Sequence, residues 1–312
     1  MEPPKIPVIY ILSNSRSGST LLDLLLGSHP QIWTLGEAQD LPWILREKQK
    51  PCGCGTPVEL CEFWKGLIPE IPVHKGQHPI GYFRDEYFSE NKLRSRELRL
   101  TLFKTLLSER LTGNSSKADT SAIEEYVDLN TQYFQVVWKA AQKDQGGEIR
   151  WLVDASKDPN RLYWLQQSRK FDFRVIRLTR DPRGYVNSLT RPEHKRMIIL
   201  KTTRRWIFNN IIFLLMCHTN FGREQVLNLK YKRLASDPDA ILREIGKWLD
   251  LEFPNDVPQR FREYENHAIS GNSMRWQEKG IYLDEKWKKE LSRLDIMLVS
   301  SLTWPFRKLF GF

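Results

Sequence analysis

The sequence predicts an α/β protein, a central parallel sheet with helices on both faces. Two features of the chain point there. Four short apolar runs, Val8–Leu12, Trp151–Val153, Arg174–Leu178 and Val226–Leu229, have the length of buried strands, and each is followed by a helical pattern. Three Asp-Pro pairs, at 158–159, 181–182 and 237–238, sit within a few residues after such runs. In each pair the Asp oxygen can cap orphan N–H groups, and the proline at the first helical position has no N–H to lose. Short strand-to-helix turns follow, at the carboxyl edge where open α/β sheets collect their active sites.

The remaining elements are bounded by composition. With 312 residues, 40% hydrophobic and 28% charged, the chain has ordinary globular make-up and room for one large domain or two modest ones. Residues 40–130 hold Pro51, Pro57, Pro69, Pro72 and Pro79, a charged helical stretch around Lys92–Arg110 and a polar loop at Thr112–Thr120. They read as an insertion or lid outside the sheet. A last helix is expected from Asp284, with Trp287, Leu291, Leu294 and Leu298 on one apolar face. The aromatic, basic tail Trp304–Phe312 can pack on the domain, meet a second subunit or touch a membrane, and packing is the plainer expectation.

Charge and targeting narrow the partners. Lys and Arg number 48 against 38 Asp and Glu, a net charge of +10, which suits nucleic acid, a membrane surface or a polyphosphorylated small molecule. Four Cys exclude a disulfide scaffold. The N-terminus lacks a signal peptide's cationic start and apolar core. The stretch Trp206–Cys217 is interrupted by Asn209 and Asn210 and falls short of the ~20 apolar residues a spanning helix needs. A cytoplasmic protein without a transmembrane segment is expected.

The first strand runs into Ser13-Asn-Ser-Arg-Ser-Gly-Ser-Thr20 and then the apolar helix Leu21–Leu26. A strand, a small-residue loop and a helix start form an anion site, because successive backbone N–H groups and the helix dipole converge on one spot. Gly18 lets the backbone come close, Ser17, Ser19 and Thr20 add hydroxyls, and Arg16 adds a fixed cation. A nucleoside-triphosphate P-loop would need Gly and Lys where Ser13 and Ser19 stand, which weakens a kinase reading. A second junction, Arg174–Ser188, sets Arg180 at a strand end and Ser188 two helical turns on. A guanidinium and a hydroxyl so placed suit a phosphate monoester, and the plainer alternative is an ion pair between Arg180 and Asp181 or another carboxylate.

These motifs resemble those of sulfotransferases that use 3′-phosphoadenosine 5′-phosphosulfate (PAPS). Ser15–Leu22 resembles the family's 5′-phosphosulfate loop, and Gly27–Glu37 is similar to the following stretch in tyrosylprotein sulfotransferases and related bacterial and carbohydrate enzymes. The resemblance implies a P-loop-like three-layer fold. It also implies donor contacts from Arg16, Ser17, Gly18, Ser19, Thr20 and Leu21, and Glu37 as general base. Arg180 and Ser188 match the 3′-phosphate motif, and Val153–Pro159 resembles the strand end that carries a catalytic lysine, here Lys157. Tyr231 matches the Tyr of the family's Tyr-Glu-Asp-Leu-type segment, although Lys232 stands where Glu is usual. Asn266–Arg275 is similar to a late loop that closes over the nucleotide in bacterial members. It implies contacts from Ser270, Gly271 and Arg275, and sets His267 between a second base and a structural residue. The resemblance covers 6–40 and 150–300, which makes 1–312 one domain with 41–149 as a variable substrate-binding insertion.

The implied chemistry is sulfuryl transfer from PAPS, with PAP as product. By analogy with phosphoryl transfer it has a loose, in-line transition state, so fixed cations suffice and no metal is required. The acceptor is expected to carry a hydroxyl, on a small molecule, sugar, lipid, carrier-bound acyl chain or peptide. No nucleic acid is expected as partner, and a homodimer stays open. Two competing functions are a P-loop kinase using ATP and a basic nucleic-acid-binding module. Eleven Trp, ten Tyr and fifteen Phe could stack bases in the latter, but most fall in helical apolar stripes and read as core. Cys52, Cys54 and Cys61, with His74 and His78 downstream, leave zinc, a disulfide from Cys61 to Cys52 or Cys54, and free thiols all open. Cys217 reads as core.

Overall fold

The computed structural model describes residues 4–41, 44, 51–71, 95–114, 121–191, 193–277 and 279–312. In chain order its elements are β1 (Ile6–Ser13), α1 (Ser19–Leu26), β2 (Ile32–Thr34), α2 (Glu62–Leu67), α3 (Ser95–Thr112), α4 (Ser121–Gln145) and β3 (Trp151–Asp154). There follow α5 (Pro159–Gln167), β4 (Phe171–Thr179), α6 (Pro182–Thr190), α7 (Arg196–Thr219), β5 (Val226–Lys230), α8 (Tyr231–Ser236) and α9 (Pro238–Leu249). The chain closes with α10 (Val257–Arg260), α11 (Trp287–Glu290), α12 (Arg293–Leu302) and α13 (Trp304–Phe310).

β1 lies at the centre of a parallel five-stranded sheet of order β2-β3-β1-β4-β5. It pairs with β4 from Ile6↔Phe171 to Ser13↔Leu178, and with β3 through Val8↔Leu152. Its alternation explains the continuous apolar run. Val8, Tyr10 and Leu12 pack into one core, with Tyr133, Phe134 and Val137 of α4, while Ile9 and Ile11 face a second core with Leu22 and Leu25 of α1 and Ile241 and Ile245 of α9. A strand covered on both faces needs apolar residues at every position. The α/β, P-loop-like three-layer class expected from the sequence is the observed one.

All three Asp-Pro caps form. Asp158, Asp181 and Asp237 accept the backbone N–H of Asn160, Arg183 and Ala240. β2 was not expected, because three residues are too few to show a pattern, and neither was α4, whose apolar face is diluted by charges. The single last helix is corrected to two. The backbone is extended at Leu291 and Ser292, Ser292 caps α12 by accepting from the Asp295 N–H, and Leu294 is exposed rather than on an apolar face. The apparent period ran across a helix boundary. In the tail, Phe310 is buried with Trp206 and Val299, and the Arg177 guanidinium lies 4.8 Å from its ring. Among the described residues, no helix is long and apolar enough to cross a membrane.

Candidate active site

A cleft of about 660 Å³ opens at the carboxyl edge of the sheet. The loop after β1 forms one wall. Gly18 caps α1 at φ 90°, and a Cβ there would stand 2.5 Å from the Tyr231 ring, so only glycine allows this approach. Arg16 precedes it in the left-handed region, at φ 61°. Arg180, at the end of β4, joins this wall to the next, because its Nη1 donates to the Arg16 carbonyl at 2.7 Å. The guanidinium also stands over the Tyr231 ring at 4.6 Å and donates to the Asp284 carboxylate at 3.0 Å. The carboxylate that pairs with Arg180 is thus Asp284, whereas Asp181 binds Arg183. Burial alone would raise the Asp284 carboxyl, but the Lys286 N–H and Arg180 hold it below the usual carboxylate range. Burial also raises the Tyr231 phenol, which accepts the Asp284 N–H.

Glu37 and Lys157 lie together in the cleft, Nζ to Oε1 at 2.5 Å. Two turns hold them in place. Gln39, two residues after Glu37, donates its backbone N–H to the Ser156 hydroxyl oxygen and its side-chain amide to the Ser156 carbonyl. Lys157 sits at φ 64°, in a turn fixed by Asp154, whose Oδ1 accepts the Ser156 N–H. Asp154 is held in turn by the buried Arg161, which also donates to Tyr126 and Asn130 of α4. A left-handed φ at a non-glycine residue costs about 1–2 kcal/mol and is kept where the surroundings enforce it.

The cleft thus brings together Arg16, Gly18, Ser19, Thr20, Leu21, Glu37, Lys157, Arg180, Ser188, Tyr231 and Gly271. Four expected residues do not line it. Ser17 is buried beneath the loop. Ser270, at φ 59°, donates its hydroxyl to Asp40. Arg275 is buried, donating to the Ala268 carbonyl and to Asp23 of α1. Its guanidinium anchors the late loop, and the Thr20 hydroxyl anchors the same loop by accepting the Asn272 N–H. Burial pushes the Asp23 carboxyl up to about 6, although Arg275 pulls the other way. His267 does not line the cleft; its ring stacks against both Trp33 and Phe63, which also touch each other, with Nδ1 facing Cys52 and Cys61. His74 and His78 lie outside the described residues.

Sequence reasoning missed Arg191, Arg262, Lys279, Asp284 and Lys286, which also line the cleft. They come from three separate stretches, around 191, 262 and 279–286, outside the recognised motifs. With Arg16, Lys157 and Arg180 they set seven cations against Glu37 and Asp284, a strongly positive surface for a polyanion.

Residues 76–255 match the model of the sulfotransferase family. The chain belongs to that family. It is a transferase, and its chemistry is sulfuryl transfer. The match spans Lys157, Arg180, Ser188 and Tyr231, while the Arg16–Leu21 loop and Glu37 lie before it. In fold this sulfotransferase is similar to the sulfotransferase domain of the Synechococcus PCC 7002 olefin synthase, at 22% identity over 96% of both chains and a TM-score of 0.52. It is likewise similar to the sulfotransferase domain from the curacin biosynthetic pathway, at 18% identity over 96% of this chain and 98% of that one, with a TM-score of 0.52. No curated protein sequence matches the chain. Family membership decides against both the ATP kinase and the nucleic-acid module.

Proposed function

We propose that this sulfotransferase takes its sulfuryl group from PAPS and transfers it to an acceptor hydroxyl, with Glu37 as general base. The observation that carries the reading is the hydrogen bond from Arg180 to the Arg16 carbonyl, by which the two expected anion sites border one cleft that also holds Glu37 and Lys157. The cleft suits such a donor. Gly18 lets the Tyr231 ring close against the loop at the start of α1, and a surplus of cations faces a molecule with charge at both ends.

PAPS supplies the sulfuryl group and leaves as the bisphosphate PAP. The loop from Arg16 to Leu21 would hold the 5′ end, and Arg180 with Ser188 the 3′-phosphate. Arg16 and Lys157 would neutralise charge that develops on the leaving oxygen, the usual largest contribution from fixed cations. Glu37 would take the acceptor's proton, with Lys157 orienting its carboxylate through the contact they share. Residues 41–149, including α3 and α4, would shape the acceptor pocket. A cytoplasmic location belongs to the same proposal.

Thermal shift with PAP, with ATP and magnesium, and with single-stranded DNA tests the donor, and the proposal expects stabilisation by PAP above all. Glu37→Gln should keep PAP binding and lower turnover by ~10² or more. Unchanged turnover would remove Glu37 from the mechanism. A screen of hydroxyl acceptors with radiolabelled PAPS identifies the substrate class.

A further inference from the structure

Away from the cleft, four metal-ligating side chains converge. Cys52, Cys54 and Cys61 come from one short segment and His267 from the late loop, 206 positions beyond Cys61. The Cys54 and Cys61 sulfurs are 3.7 Å apart. His267 Nδ1 lies 3.2 Å from the Cys61 sulfur and 3.7 Å from that of Cys52. All four ligand atoms fall within 4.8 Å of one another. A tetrahedral zinc, with Zn–S bonds of ~2.3 Å and Zn–N bonds of ~2.0 Å, has ligand-to-ligand edges of about 3.5–3.8 Å. A disulfide would need ~2.05 Å. Two of the separations, at 3.7 Å, match such an edge, the third is shorter by a few tenths of an ångström, and all are far longer than a disulfide bond.

The surroundings are built for the purpose. The Gly55 N–H donates to the Cys52 carbonyl and the Cys52 N–H to that of Thr56, a tight turn that folds Cys54 back on the cluster. A Cβ at Gly53 would stand 1.9 Å from Asn266 Oδ1, so glycine alone lets this turn meet the late loop. The imidazole is fixed by near-parallel stacking on Phe63, at 13° and 5.1 Å, and its Nε2 faces Glu265 at 3.5 Å. A carboxylate behind a ligating histidine sets the tautomer that leaves Nδ1 free to bind.

We propose that Cys52, Cys54, Cys61 and His267 hold one structural zinc ion. Three thiolates and an imidazole suit zinc, and four protein ligands leave no open position for chemistry. The ion's task is mechanical. Gly53 donates to the Ala268 carbonyl, Ile269 donates to Leu35, and the Glu37 N–H donates to the Ile269 carbonyl. The metal therefore pins the strip of backbone from which Glu37 hangs.

The test uses the full chain, purified with reductant and without chelator. About one zinc per chain is expected by elemental analysis. Cobalt replacement should give the ligand-field bands of a tetrahedral thiolate site. Cys61→Ser should lose metal. Should it fail to fold, Cys54→Ser, which removes the one solvent-exposed ligand, repeats the test in an intact protein. His267→Ala should lose metal, and His267→Cys should retain it. Chelation should lower the melting temperature of the wild type and leave Cys54→Ser unmoved. A folded, reduced chain that takes up neither zinc nor cobalt would overturn the proposal, as would equal metal content in wild type and His267→Ala. Metal content is read without donor or acceptor, so it is independent of the function proposed above.

Discussion

Arg161 and Asp154 meet at 2.8 Å beneath the turn that carries Lys157, and Arg180 and Asp284 meet at 3.0 Å in the wall of the cleft. The pairs stand at the ends of β3 and β4, the two strands that flank β1. Asp154 is fully buried, and Arg161 has its other contacts inside the protein, with Tyr126, Asn130 and the Phe134 face. Arg180 also makes internal contacts, but its carboxylate partner is 22% exposed and lies where a ligand oxygen could take its place. An arginine on a carboxylate is thus scaffold or site according to whether solvent reaches the acid, which pairing alone does not reveal.

The largest effect expected from this contrast is at Arg161. Arg161→Ala strands Asp154 without its counter-charge and should lower unfolding free energy by about 3–5 kcal/mol in denaturant titration. A loss below about 1 kcal/mol, typical of exposed pairs, would erase the distinction. Arg180→Ala should fold, and should weaken PAP ~10–100-fold while leaving AMP nearly unaffected. Equal losses for both nucleotides in calorimetry would show that Arg180 does not read the 3′-phosphate.

A third pair, Asp23 with Arg275, sharpens the comparison through pH. Burial raises the Asp23 carboxyl in the folded state to about 6, above the ordinary aspartate range, so the folded protein holds this proton more tightly than the unfolded chain. Its contribution to stability is therefore full below pH ~4, declines between pH ~4 and ~6, and is flat above that. Asp23→Asn should remove that slope, seen as a wild-type-minus-variant difference in denaturation midpoint that changes across this window. A constant difference would contradict it. The smallest effect is at Asp284. Asp284→Asn removes the acid that competes for Arg180 and should tighten PAP by a few-fold, about 1 kcal/mol; weaker binding would mean that Asp284 helps the site.

Contiguous motifs were the legible part of the molecule. The loop after β1, the Arg180–Ser188 junction and Lys157 could be read because a strand, a turn and a helix start leave their mark within a dozen residues. Asp284 and Arg262 could not, since they enter the cleft only by tertiary packing. The same holds for His267, open in the sequence between a second base and a structural residue, whose Nδ1 faces cysteines 206 positions or more away in sequence. In α4, Tyr126 and Asn130 are polar by type and central by position, because they satisfy a buried guanidinium that sequence does not announce.

Arg16, Lys157 and Ser270 all sit at bends that glycine would occupy with ease. A protein engineer hunting for robustness would be drawn to these three positions first. Relaxing the chain at 157 would also delete an ammonium from the heart of the enzyme. On the proposed mechanism, durability and turnover pull in opposite directions there, and a thermostabilised version of this molecule is better sought on the helices behind the sheet than at the rim of the cleft.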